Sequence, residues 1–113
     1  VESDQRKAAF LQEVARATET PVTVHDLRAE ALGRSALVKA DIVTARALAP
    51  VDELLALAEP FLLPDGICVF LKGAAVDAEL TRAGETWTMT VERVPSRTDS
   101  SGTILRIHHL GRV

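Results

Sequence analysis

Arg46, Lys72 and Glu2 are the residues whose types and placing could do chemistry, because each stands at the exit of a strand-like run. Arg46 follows Asp41-Ile42-Val43-Thr44, a β-branched stretch within DIVTARALAP, and Lys72 follows the apolar run Ile67 to Leu71. Glu2 lies in the opening Val1-Glu2-Ser3, which reads as the end of a strand before a helix. In an open α/β sheet, ligands sit in the crevice outside the carboxyl ends of the strands, so charged groups there are site candidates. A guanidinium matches a carboxylate or phosphate, an ammonium offers a point charge to phosphate, and a carboxylate can accept from both hydroxyls of a ribose. Each residue also has an ordinary reading. Arg46 could pair with Asp41 or Asp52, Lys72 could snorkel to solvent, and Glu2 could be a solvated acid near a helix start.

The elements that must position these residues alternate along the chain. Ser3 suits an N-cap, and Ala8, Leu11, Val14 and Ala15 lie at helical spacing to about Thr18, with that face expected against a sheet. Val22 to His25 reads as a second short strand, Asp26 to Glu30 as a turn, and Gly33 to Ala40 as a loop or short helix. Pro50 opens a helix whose Val51, Leu54, Leu55 and Ala58 share a face. Leu63-Pro64-Asp65-Gly66 has the chemistry of a turn, and Ile67 to Leu71 the pattern of a strand buried on both faces. Ala74 to Ala83 is a further helix ended by Gly84, and Trp87 to Val94 and Ile104 to His109 close the chain as a hairpin around a polar loop. If the Trp87 strand runs parallel to the earlier ones, that loop emerges on the ligand edge and brings Arg97 with it. The order of elements predicts a mainly parallel α/β sheet.

Composition narrows the function classes. A chain of 113 residues, 47% hydrophobic, makes one domain and not two. The single cysteine, Cys68, cannot form an internal disulfide and lies in an apolar run, which reads as a core residue in a reducing cytosol. Glu59, Pro60, Pro64 and Asp65 interrupt the most apolar region, so no membrane helix is expected. A net charge of −3 gives no overall footprint for nucleic acid, and an RNA partner would have to be attracted by a local patch. His25 and the pair His108-His109 lack metal-ligand spacing, and no metal is expected.

Four segments in order carry a family resemblance: VESDQRKAAFLQEVAR, RAE at Arg28 to Glu30, DIVTARALAP, and FLKG at Phe70 to Gly73. Together with the ending VPSRTDSSGTILRIHHLGR, the chain resembles the RsmG/GidB family of bacterial methyltransferases, which place a methyl from S-adenosylmethionine (SAM) on N7 of a guanine in 16S ribosomal RNA. The resemblance implies a Rossmann-like class I SAM-dependent methyltransferase fold in the cytoplasm. It also implies that Val1 to Ser3 ends the second strand, so that residues 1–113 are a partial domain lacking the first strand and its glycine-rich loop. Such a fragment is expected to be inactive alone.

On this resemblance Glu2 would hold the ribose of SAM, and Arg28, Ala29 and Glu30 would lie beside its adenine. Arg46 would clamp the SAM carboxylate or hold RNA, and Lys72 and Arg97 would meet RNA phosphate. The partner implied is 16S rRNA or the small ribosomal subunit. Guanine N7 bears a lone pair and no proton, so positioning by Arg46 suffices and no general base is expected. Two other classes share parts of this pattern: a SAM-dependent enzyme for a small molecule, and a noncatalytic truncated domain that persists by self-association.

Overall fold

The computed structural model describes residues 1–35, 38–46 and 48–113, and it divides into two units, residues 1–38 and 39–113. In the first unit the helical spacing noted above forms α1, Gln5–Ala17. Its cap is Asp4 and not Ser3: the Asp4 carboxylate accepts the amides of Arg6 and Lys7, and an anion there is favoured by the helix dipole. The helix ends on Glu19 at φ 54°, whose amide donates to the Arg16 carbonyl while that of Thr20 donates to Ala15. This is the double bond pattern of a left-handed cap, made here without glycine. Of its apolar residues only Ala8 is buried, while Leu11 and Val14 stay exposed, so the expected packing of that face on a sheet is absent from this unit.

The two strands expected in this unit do not form. Val1-Glu2-Ser3 and Val22 to His25 meet through one backbone bond, from the Glu2 amide to the His25 carbonyl at 2.9 Å, and a single bond is no ladder. Arg28 precedes α2, Ala29–Ser35, so the RAE motif opens a helix instead of lying wholly in a turn. The expectation for Gly33 to Ala40 falls partly on Ala36 and Leu37, outside the described residues.

The second unit is built on α3, Val51–Ala58, where Val51, Leu54, Leu55 and Ala58 recur at helical spacing and are all buried. They pack against one face of a four-stranded sheet formed by β1 (Ala40–Arg46), β2 (Leu62–Lys72), β3 (Trp87–Pro95) and β4 (Thr103–Arg112). Side chains alternate across each strand, so Cys68 and Phe70 of β2, Leu105 and Ile107 of β4, and Trp87 of β3 all enter this core. Helix α4, Val76–Ala83, adds Val76 and Ala83. Gly84 does follow it, but at φ −63°, with ordinary room for a Cβ; the helix ends there without a glycine-requiring turn.

Strand order is β1-β2-β4-β3. β1 pairs with β2 in parallel, and β4 pairs antiparallel with both β2 and β3. Three strands therefore run one way and β4 runs against them. The condition set for the loop after β3 is met: β1, β2 and β3 all end on the same edge.

Three local differences from the expected elements have simple causes. β1 lies at an edge of the described sheet and is not buried as a whole, with Ile42 56% exposed. The Leu63-Pro64-Asp65-Gly66 turn is taken up inside β2: Ala40 pairs with Leu62 and Ile42 already with Ile67, so the turn residues bulge out between two paired ends. A second bulge lies where Thr88 pairs with Gly111 and Thr90 with His108, and His109 absorbs it at φ 55°.

Candidate functional site

Register alone assembles the rim. Arg46 pairs with Leu71, Leu71 with Ile104, and Ile104 with Val94, so one row of side chains crosses the sheet from β1 to β3 on a common face. The next row joins Lys72 to Thr103 and Thr103 to Pro95. Beyond these rows the loop of residues 96–102 rises, and together they line a groove of about 810 Å³. Its apolar floor is Leu71, Val94 and Ile104, with Arg46 at one side and Arg97 and Asp99 on the loop.

The loop is held by its own polar groups. Ser96 and Gly102 close it backbone to backbone at 3.0 Å, and the Gly102 amide donates to the Asp99 carbonyl at 3.0 Å. Asp99 Oδ1 accepts the Ser101 hydroxyl at 2.7 Å and the Ser101 amide at 2.9 Å. Those two bonds hold the Asp99 carboxyl below its ordinary range, so it is an anion at neutral pH.

Arg46 is one of two arginines whose side chains this groove leaves open. Asp52 is engaged by Arg82 at 3.2 Å, and among the described residues Arg46 has neither an ion pair nor a hydrogen-bonded partner. The ordinary reading of Arg46, a structural pair with Asp41 or Asp52, is therefore not what forms. Ala47, within the same motif, lies outside the described residues. Arg97 is exposed and likewise unpaired among the described residues.

Lys72 is placed differently from its expectation. Its side chain is only 8% exposed; Nζ lies 2.8 Å from Glu79 Oε1 and donates to the Ala49 carbonyl at 2.9 Å. The ammonium therefore does not snorkel to solvent; two partners hold it at the lining of the groove. Sequence spacing could not reveal this, because Glu79 reaches Lys72 only after α4 folds back on the sheet.

In the first unit, the Glu2 amide donates to the His25 carbonyl, three residues before the RAE segment. The Glu2 carboxylate is half-buried and accepts the Asp4 amide through Oε2 at 3.1 Å, which leaves its other oxygen open. Arg28 and Glu30 are exposed and Ala29 is half-buried at the start of α2. Cys68 is no nucleophile, since burial pushes its thiol up to about 11. Among the described residues no cluster of His, Cys, Asp and Glu could hold a metal, and no helix is long and apolar enough to cross a membrane.

A sheet with three strands in one direction, helices packed on it and a rim at the strand ends is of the Rossmann-like α/β class. The solved structure of a putative rRNA-methylase from Clostridium thermocellum shares that fold, with a TM-score of 0.66 over 99% of this chain and 70% of that one at 11% identity. Residues 1–105 match the family described as rRNA small subunit methyltransferase G, and the chain belongs to that family, known as RsmG or GidB. Proteins named ribosomal RNA small subunit methyltransferase G from Rhodospirillum centenum and Paramagnetospirillum magneticum are 56% and 53% identical over 97% and 99% of this chain. The chain spans about half the length of these relatives, 50% and 53%.

Proposed function

We propose that this chain is the C-terminal part of the catalytic domain of an enzyme that methylates N7 of a guanine in 16S rRNA. The single observation that carries this reading is Arg46: an arginine at a strand exit, without a partner among the described residues, lining a groove in a chain of this family. SAM, when bound, supplies an electrophilic methyl group on its sulfonium. Within the first unit, the residues that would hold it are Glu2, accepting from the ribose, and Arg28, Ala29 and Glu30 beside the adenine.

The protein's own task is positional. Guanine N7 carries its lone pair without a proton, so no side chain need act as a base. Arg46 and Arg97 supply the positive charge of the groove, since Lys72 is neutralised by Glu79 and Asp99 is itself an anion. Arg97 at the loop tip meets RNA phosphate, and Arg46 orients either an anionic group or the guanine edge. The apolar floor of Leu71, Val94 and Ile104 gives a base a surface on which to lie. The 113-residue chain by itself is inactive in this reading, since it spans only about half the length of its relatives.

Labelled-methyl transfer from SAM to small-subunit rRNA by the full gene product, run beside this chain, tests the reading. Transfer by the full product and none by the chain alone, with N7-methylguanine in the digest, is the expected result. SAM binding without transfer to rRNA would move the substrate to another class, and absence of SAM binding would overturn the enzyme assignment.

A further inference from the structure

Pro50 leaves the start of α3 short of a cap, since its own side chain makes no capping bond. The Val51 amide is taken instead by Glu79 Oε1, reaching over from α4 at 3.0 Å. That same oxygen lies 2.8 Å from Lys72 Nζ, and Lys72 in turn donates to the Ala49 carbonyl at 2.9 Å. One ion pair therefore holds both backbone groups flanking Pro50. With side chains only 8% and 19% exposed, each partner keeps the other from being a buried unpaired charge.

Arg46 enters this arrangement from the other side. It is the last residue of β1 and pairs with Leu71, the residue immediately before Lys72. Lys72, held by Glu79 and the Ala49 carbonyl, thus fixes the end of β2 directly beside the ladder partner of Arg46. We infer that Lys72 and Glu79 are positioning residues that latch the entry to α3, at Ala49 and Val51, onto the end of β2 and thereby set where the Arg46 guanidinium stands in the groove. Lys72 makes no phosphate contact of its own. This inference rests on the proposed role of Arg46 as the group that holds an anion or the guanine.

The test uses the full gene product with Lys72→Met, which keeps the aliphatic stem, and Glu79→Gln, which keeps an acceptor but loses the charge. Three quantities are read well below the melting temperature: kcat for methyl transfer to rRNA, the salt dependence of rRNA binding, and hydrogen exchange of the Val51 amide. The latch predicts a kcat at least about tenfold lower in each variant, a double variant no worse than the lower single, and Val51 exchange at least about threefold faster in both. It also predicts that Lys72→Met keeps the wild-type slope of log K against log salt. A slope shallower by about 0.7 in Lys72→Met would mean a lost phosphate contact and would overturn the inference. So would wild-type kcat in both variants.

Failure of the underlying reading looks different. If wild-type protein transfers no methyl to rRNA, the proposed function falls while Val51 exchange still decides the latch, and unchanged protection in both variants overturns it. If Lys72→Met does not melt cooperatively, kcat and Val51 exchange in Glu79→Gln decide the latch by themselves, with wild-type values of both overturning it.

Discussion

The Arg112 guanidinium carbon sits 4.2 Å from the centroid of the Trp87 ring, and the same guanidinium reaches Glu59 Oε1 at 3.1 Å. Trp87 opens β3 and is 3% exposed, Arg112 ends β4, and Glu59 follows α3. One side chain thus covers the buried indole where the hairpin starts and ties it to the end of α3. Arg112→Ala should lower stability by about 1 kcal/mol, combining a half-exposed cation–π contact with a surface ion pair. Arg112→Lys should recover part of it. Chemical denaturation of the full gene product, with Trp87 fluorescence as a reporter of its own exposure, measures both.

Gly66 sits where the bulge in β2 returns to the ladder. A Cβ there would lie 2.8 Å from Leu62 Cδ2 and 2.9 Å from the Leu63 carbonyl oxygen. The leucine methyl can move, but the carbonyl belongs to the bulge itself. Gly66→Ala should therefore destabilise by roughly 1–3 kcal/mol, as overpacking does, and Gly73→Ala, with nothing within 4 Å of its Cβ, should be nearly neutral. Equal effects of the two substitutions on the melting temperature would sink the packing explanation.

Arg46→Ala in the full gene product should abolish methyl transfer while the protein still melts cooperatively, because an exposed strand-end arginine without a partner contributes little to folding. Arg97→Ala should weaken rRNA binding and make its salt dependence shallower by about 0.7 in log–log slope, as expected for one lost phosphate contact. Wild-type turnover in the first variant, or an unaltered slope in the second, would remove that residue from the site.

Burial raises the Cys68 thiol from the ordinary 9.0 to about 11. Between those pH values the unfolded chain has lost this proton and the folded one still holds it, so the unfolded state binds fewer protons and stability falls as pH rises. The loss begins near pH 9.0 and is complete above about 11. Cys68→Ala should flatten this part of the stability profile, at the cost of a small cavity. In the native protein a thiol reagent at neutral pH should label Cys68 only at the rate of unfolding.

Sequence by itself determined the elements whose pattern is locally enforced and the residues that stand at their ends. Helical spacing of Val51, Leu54, Leu55 and Ala58 and the alternation from Trp87 to Val91 survive folding because burial of one face selects the element that provides it, and the apolar run before Lys72 forms its strand but is fully buried on one face only, with Leu71 44% exposed. The strand exits beside Arg46 and Arg97 were legible for the same reason, whereas the emergence of Arg97 on the edge shared with Arg46 hung on the direction of β3, which the pairing with β4 decided. What only the tertiary structure decided depends on partners distant in the chain. Val22 to His25 has strand composition but no ladder, the Pro64-Gly66 turn is carried as a bulge because both its flanks find pairs on β1, and Arg46 could have been neutralised by Asp52 had Arg82 not taken it. Lys72 shows the difference most plainly: its type and position suggest a ligand contact, and the carboxylate that occupies it arrives from a separate helix, a pairing fixed by packing and not by local pattern.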